Sequence, residues 1–231
     1  MKYELTNEVK EYNGITLHRI KATKNFGSVN AGDLGGWIES EDNLSQGNNA
    51  WVCGNAKVYG NAKVCGNAKV CGNAWVCDDA WVCDDAKVCD NAEVYGDAEV
   101  YGNAEVYGNA KVYGNAWVCD DAKVCDNAEV YGNAWVCGNA KVCGNAWVYG
   151  NAEVCGNAKV CDDADYIVFK NWWSSGRYFT WTKTNNKWKA GCFHGSGEEL
   201  IKKAYADNER SGREYERVVR YVEQILSENV V

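Results

Sequence analysis

Twelve of the thirteen cysteines occupy one position of a recurring six-residue pattern, and only Cys192 lies outside it. Thiols in that number can ligate metals, pair as disulfides or act as nucleophiles. Zinc wants a closed tetrahedron of ligands, and cysteines that repeat in line supply a poor one. Disulfides between successive rows are within Cα reach, but parallel side chains seldom turn to the required dihedral. The expectation is reduced thiols filling an outer wall. Cys192 and His194, two apart on an expected strand, share a face, but no third group orients the histidine and a nucleophilic pair is not expected. Asp78-Asp79, Asp84-Asp85 and Asp120-Asp121 have the carboxylate density for calcium, yet their positions suit turns. Gly32–Gly36 lacks the lysine and the strand-to-helix setting of a phosphate loop. No metal, cofactor or catalytic residue is expected.

The pattern behind these positions is A-x-V-[C/Y]-[G/D]-[N/D], repeated nineteen times without a gap between Ala50 and Asp163. Six residues are too few for a helical repeat or a propeller blade. They fit one short strand and one corner of a parallel β-solenoid, three units making a triangular coil that stacks at about 4.8 Å. About six coils result. Alternation along a strand points Ala and Val inward, the variable residue outward, and Cys or Tyr outward or toward the corner. Gly-Asn and Asp-Asp make the corners. Each inward residue sits on its own copy in the next coil, which is why it does not vary. Free strand edges at the two ends need covering.

The flanks read as those covers. Residues 1–49 form an N-terminal β cap, with strands at Tyr3–Leu5 and Ile15–Ala22 joined at Asn13-Gly14, and AGDLGGWIE leads into the first coil. Residues 50–163 are the solenoid. Residues 164–231 form a small α+β domain: strands in YIVF, RYFTWTK and KWKAGCF, then two helices announced by Ser196…Glu199 and Ser211…Glu214. Tyr215, Val218, Val219, Val222, Ile225 and Leu226 make an apolar stripe that packs on the sheet. The fold class is mainly β.

The hexad is similar to the hexapeptide repeat of left-handed β-helix proteins, a family rich in acyltransferases. That resemblance implies the left hand. Residues Gly14–Val52 resemble the N-terminus of hexapeptide-repeat proteins common in bacterial genomes and prophages, and the C-terminal segment resembles small tail domains on such phage-encoded proteins. The family's acyltransferases use a histidine on the solenoid or its loop, with acyl-CoA between subunits of a trimer. Here the only histidines are His18 and His194, one in each flank, and no loop interrupts the repeat. A base must reach its proton within about 3 Å. An acyl-CoA-dependent acyltransferase is therefore the alternative, and a non-catalytic module the expectation.

A non-catalytic solenoid acts through its outer walls. Taking every third repeat together gives three columns. One carries lysines, among them Lys123, Lys141 and Lys159, beside cysteines. The second carries a tyrosine ladder, Tyr95, Tyr113, Tyr131 and Tyr149, a flat amphipathic strip suited to a partner or to a second copy of the chain. The third brings Trp117 beside Trp135, an apolar patch if exposed. In the tail, Trp172, Trp173 and Arg177 are candidate interface anchors. The formal net charge of −8 lies wholly in the repeats, which argues against nucleic acid. No apolar run suggests a membrane span or leader, so a cytoplasmic location is expected. The expected partner is a protein, with homo-oligomer formation, and the phage resemblance implies host machinery, including defence components, as a target.

Overall fold

The computed structural model describes residues 1–228. Two strands, Tyr3–Tyr12 and Ile15–Ala22, form an antiparallel hairpin. Its turn sits at Asn13 and Gly14, with φ of 50° and 79°, the pair of positive values that a two-residue hairpin loop demands. The first strand runs to Tyr12, well beyond the expected Leu5, because the second strand pairs with it along its length.

Leu34–Ile38 pairs antiparallel with the hairpin on one side and parallel with Lys57–Val58 on the other. The AGDLGGWIE segment thus supplies the first rung of a parallel ladder. Leu44 adds a parallel bridge to Val64. Three sheets of nine, seven and six strands wrap the solenoid, about seven coils deep, close to the six that nineteen hexads give. Each repeat contributes a two-residue strand, such as Trp51–Val52. It pairs in register with the strand one coil on, so that Val52 meets Val70, Val58 meets Val76 and Val64 meets Val82. The repeat alanines and valines are between 0 and 1% exposed. Every coil therefore buries the same small side chains on the same small side chains, as identical packing along a column requires.

Four antiparallel strands follow: Tyr166–Lys170, Tyr178–Thr182, Lys187–Ala190 and Phe193–Gly195. KWKAGCF, expected as one strand, is two, because Gly191 turns the chain at φ 57°. Helix α1 (Gly197–Asp207) starts at the expected box: Glu199 N–H donates to Ser196 Oγ at 3.3 Å, and Ser196 N–H to Glu199 Oε2 at 2.7 Å. Helix α2 (Glu209–Glu228) starts earlier than the Ser211…Glu214 box suggests. Asn208 Oδ1 takes the Ser211 N–H at 2.8 Å, so Asn208 caps the helix and Ser211 is buried within it. Of the stripe, Val219 and Val222 are buried with Trp173, Phe179, Trp181 and Trp188, while Tyr215, Val218 and Leu226 pack at the margin. No described helix is long and apolar enough to cross a membrane.

The C-terminal domain closes all three exposed strand edges with side chains. Trp147 N–H donates to Asp163 Oδ1 at 2.8 Å and Trp147 C=O accepts from Tyr166 OH at 2.9 Å. Glu153 N–H donates to Thr180 Oγ1 at 2.9 Å. Thr184 Oγ1 accepts from Lys159 N–H and donates to its C=O, both at 2.8 Å. Thr180 is fully buried, so Thr180→Val keeps the shape and strands the Glu153 N–H, at a cost of about 1–3 kcal/mol. A urea titration is expected to show the midpoint fall for Thr180→Val and stay near wild type for Thr180→Ser; equal midpoints for all three proteins would mean that the hydroxyl closes nothing.

The opposite end is closed by Lys2, Tyr3 and Asn43. Lys2 Nζ donates to Ala50 O at 2.7 Å and Gly47 O at 3.0 Å, and Tyr3 OH to Leu44 O at 2.7 Å. Asn43 Nδ2 spans Gly60 O and Ala62 O, each at 2.9 Å. Burial, with Lys24 nearby, pulls the Lys2 ammonium down to about 8.

Candidate protein-binding surface

The repeat register fixes the outward columns, and they fall where the eighteen-residue spacing puts them. On the nine-stranded sheet, Tyr95, Tyr113, Tyr131 and Tyr149 stack nearly parallel, with centroids 4.9, 4.9 and 5.4 Å apart. Offset phenols at that distance attract one another beyond simple burial. Tyr113 OH donates to Glu129 Oε2 at 2.8 Å, fixing one ring in the row. Burial raises the pKa of Tyr95 and Tyr131, and burial together with the Glu129 contact raises that of Tyr113, so these three phenols are neutral.

The near end of this face already carries an occupant. Tyr12 from the hairpin lies edge-on to Tyr59 at 5.9 Å and to Trp75 at 5.3 Å. Lys57 Nζ lies between Tyr12 and Trp75, 4.8 and 5.2 Å from their centroids. The face therefore accepts an aromatic side chain laid across its ladder, with a lysine filling the gap. Its far end is open: Trp147 and Tyr149 are 48% and 50% exposed. There a groove runs into the C-terminal sheet, lined by Tyr149, Tyr166, Ile167, Val168 and Tyr178.

On the six-stranded sheet, Trp117 and Trp135 are neighbours, edge-on at 6.0 Å. They do not form one open patch. Trp117 is exposed, but Trp135 is half-buried: Lys189 Nζ lies 5.8 Å from its ring centroid, and its Nε1–H donates to Cys119 Sγ at 3.0 Å. Trp172 and Trp173 also part. Trp173 is buried against Phe179 and Tyr215, whereas Trp172 is 68% exposed. Arg177 is exposed in the same loop, its carbonyl accepting from Asn171 N–H at 2.8 Å.

The lysine column is interrupted. Glu105 is held by Lys87 at 3.1 Å and Lys123 at 2.9 Å. Hydrogen bonds from these two lysines, Lys123 first, pull its carboxyl below the usual range. Lys123 therefore sits in an ion pair, and Lys141 and Lys159 continue the column beyond it.

Six cysteines depart from the expected reduced state, and the other seven are free. Cys53–Cys71, Cys137–Cys155 and Cys143–Cys161 are bonded between adjacent coils, across Cα separations of 4.7, 4.7 and 4.6 Å. In-register stacking brings the two Cα atoms of a column within bridging range. Cys192 lies in the turn before Phe193–Gly195 and not on a strand. It does not share a strand face with His194. The His194 ring packs against Gly156 at the last corner, and burial, then Lys189 and Lys187, lowers its pKa. His18 lies in the N-terminal hairpin, paired with Ile38.

The corner aspartates have a use that turn propensity does not reveal. The first aspartate of each pair reaches one coil on: Asp78, Asp84 and Asp120 accept from the N–H of Gly96, Gly102 and Gly138 at 3.2, 3.2 and 3.0 Å. Asp90 and Asp126 do the same to Gly108 and Gly144, each at 3.0 Å. The second aspartate takes an asparagine amide from the coil before: Asn61, Asn67 and Asn103 donate to Asp79, Asp85 and Asp121, each at 3.0 Å. Among the described residues no group of three or more His, Cys, Asp or Glu converges on a metal position.

No family model matches the chain, and no curated protein is similar to it. What the molecule offers for function is its outer surface. Sequence reading missed the groove between Tyr149 and Tyr178, because nothing in the repeat says how the tail folds back on the last coil. It also missed Lys2 and Tyr3, whose isolated positions carry no pattern.

Proposed function

We propose that this protein is a non-catalytic binding scaffold, whose working surface is the tyrosine ladder of the nine-stranded sheet and the groove in which it ends. The observation that carries this reading is the ladder itself, four phenols in contact on a flat face. One end is occupied by an aromatic from the chain's own hairpin and the other is open at Trp147 and Tyr149. A partner that lays an aromatic across the open end repeats the Tyr12 contact. A second copy of this chain offers such aromatics, which makes self-association the first form to test. Tyrosine and tryptophan at the centre of an interface carry a large share of binding energy.

The resemblance of the lead-in and tail segments to prophage-encoded proteins supports a phage setting. In that setting the scaffold acts in the host cytoplasm as a host-directed inhibitor or sequestering protein, with a defence component as its target. The charge of the repeats favours a protein over nucleic acid as partner.

Light scattering coupled to size-exclusion chromatography tests the surface. Wild-type protein is expected to gain mass with concentration, and Tyr149→Glu to weaken the association by about 100-fold, the cost of losing one interface anchor of about 2–3 kcal/mol. Circular dichroism should show the same melt for both. Wild type that stays monomeric at millimolar concentration, or Tyr149→Glu that associates equally well, would remove the self-association reading.

A further inference from the structure

Cys65 and Cys83 stand apart from the other stacked cysteines. They are one coil apart on the six-stranded sheet, where Lys63–Val64 pairs in register with Trp81–Val82, and Cys65 N–H donates to Val82 O at 3.0 Å. Both thiols are free and half-buried, and each is close enough to the other to affect its ionisation. The column continues to Ser45 on one side, whose own N–H donates to Val64 O, and to Tyr101 on the other. Neither neighbour supplies a third thiolate. The result is a closed two-sulfur unit.

Two sulfurs exclude most metals. Among the described residues no third His, Cys, Asp or Glu converges on them, so they offer no tetrahedron of the kind zinc requires. A linear, two-coordinate cation has a different requirement: its sulfurs lie two metal–sulfur bonds apart, ~4.6 Å for bonds of about 2.3 Å. The coil repeat supplies that spacing, since stacked cysteines elsewhere in this solenoid have Cα separations of 4.6 to 4.7 Å. Rotation about the two Cα–Cβ bonds adjusts the sulfur separation to the cation. Thiolates select soft cations.

We infer that Cys65 and Cys83 form a two-coordinate site for a soft monovalent cation, Cu(I) or Ag(I), held between adjacent coils. Binding replaces two S–H protons with one cation: both protons leave to solvent, no electron moves, and the bis-thiolate unit carries one negative charge. Three charged groups face the pair, Asp84 and Glu99 against Lys63, and the two carboxylates favour a cation there. Burial, then Asp84, pushes the Cys83 thiol up to about 12, and burial raises Cys65 as well. The metal must displace both protons, so affinity rises with pH through the neutral range.

Titration with Cu(I) from a chromophoric Cu(I) chelator tests this, with hydroxylamine holding copper reduced and the disulfides left intact. The expected result is one tight equivalent per chain, with X-ray absorption showing two sulfur neighbours only. Cys65→Ser and Cys83→Ser should each weaken that equivalent by at least 100-fold, while Cys77→Ser and Cys192→Ser leave it unchanged. If a serine variant folds poorly, Cys83→Tyr serves instead, because tyrosine occupies the same repeat position at Tyr101. Three or more ligands in the absorption spectrum, or a tight equivalent that survives in Cys65→Ser, would overturn the assignment.

Discussion

Ala104→Leu is expected to lower the melting midpoint by about 10 °C. Ala104 is fully buried, one coil from Ala86 and one from Ala122. Its carbonyl accepts from Lys87 N–H at 2.9 Å, and Ala122 O accepts from Glu105 N–H at 2.9 Å, so backbone closes the space above and below. A leucine at this point must push apart two ladders of hydrogen bonds. Overpacking in a core costs about 1–3 kcal/mol, and the upper end applies where the neighbours are backbone and identical small residues. In a chain of this size each kcal/mol lowers the midpoint by about 2–4 °C. Outward residues behave differently: Lys111→Gln loses only its exposed pair with Glu93 at 3.6 Å, worth less than about 1 kcal/mol. Thermal melts followed by circular dichroism compare the two. An Ala104→Leu midpoint within 2 °C of wild type would mean that the prism has room inside, and the column packing would have to be redrawn.

Gly102→Ala and Gly150→Ala are expected to differ sharply, although both glycines sit at corners with φ of 70° and 68°. A Cβ at Gly102 would meet Asp120 N at 2.8 Å and Asp120 Cα and O at 3.1 Å, all backbone. A Cβ at Gly150 meets nothing within 4 Å. Gly150→Ala thus carries only the left-handed penalty of about 1–2 kcal/mol. Gly102→Ala adds a collision that one coil must relieve by shifting against the next, for a total of about 3–4 kcal/mol. The pair separates dihedral cost from contact cost within one fold. Urea midpoints measure both, and equal losses would show that the dihedral alone governs the corners.

The solenoid was legible because its period does two jobs. Six residues set the strand and corner, and eighteen set which residues touch. Val52 on Val70, Trp117 beside Trp135 and the four-tyrosine row all follow from counting. What counting could not supply is what a side chain does once placed. Stacked cysteines were within reach of one another, but which pairs bond depends on rotamers. Asp84 looked like a turn residue, and its bond to Gly102 needs the next coil's N–H. Tyr149, Trp135 and Trp173 were named as surface, yet the tail decides how much of each remains open. Lys189 covers Trp135, Tyr215 meets Trp173, and Tyr178 lines the groove beside Tyr149. Those contacts come from non-repeating segments that fold back over the ends, where no period guides the eye. The same holds for Asn208, which takes over a cap that the Ser211…Glu214 spacing had suggested.

The corner aspartates also limit how such a rod can change length. In two of the corner columns they fall on alternate coils, Asp84 then Asp120 and Asp90 then Asp126, with a glycine between. A tandem duplication of one coil that carries an aspartate would set carboxylate over carboxylate and leave one of them without a glycine amide. A duplication of two coils would preserve the alternation. Along these edges a coil with glycine corners can be repeated by itself, as Gly54 over Gly72 and Gly138 over Gly156 already show, whereas a coil that carries an aspartate must bring a glycine coil with it.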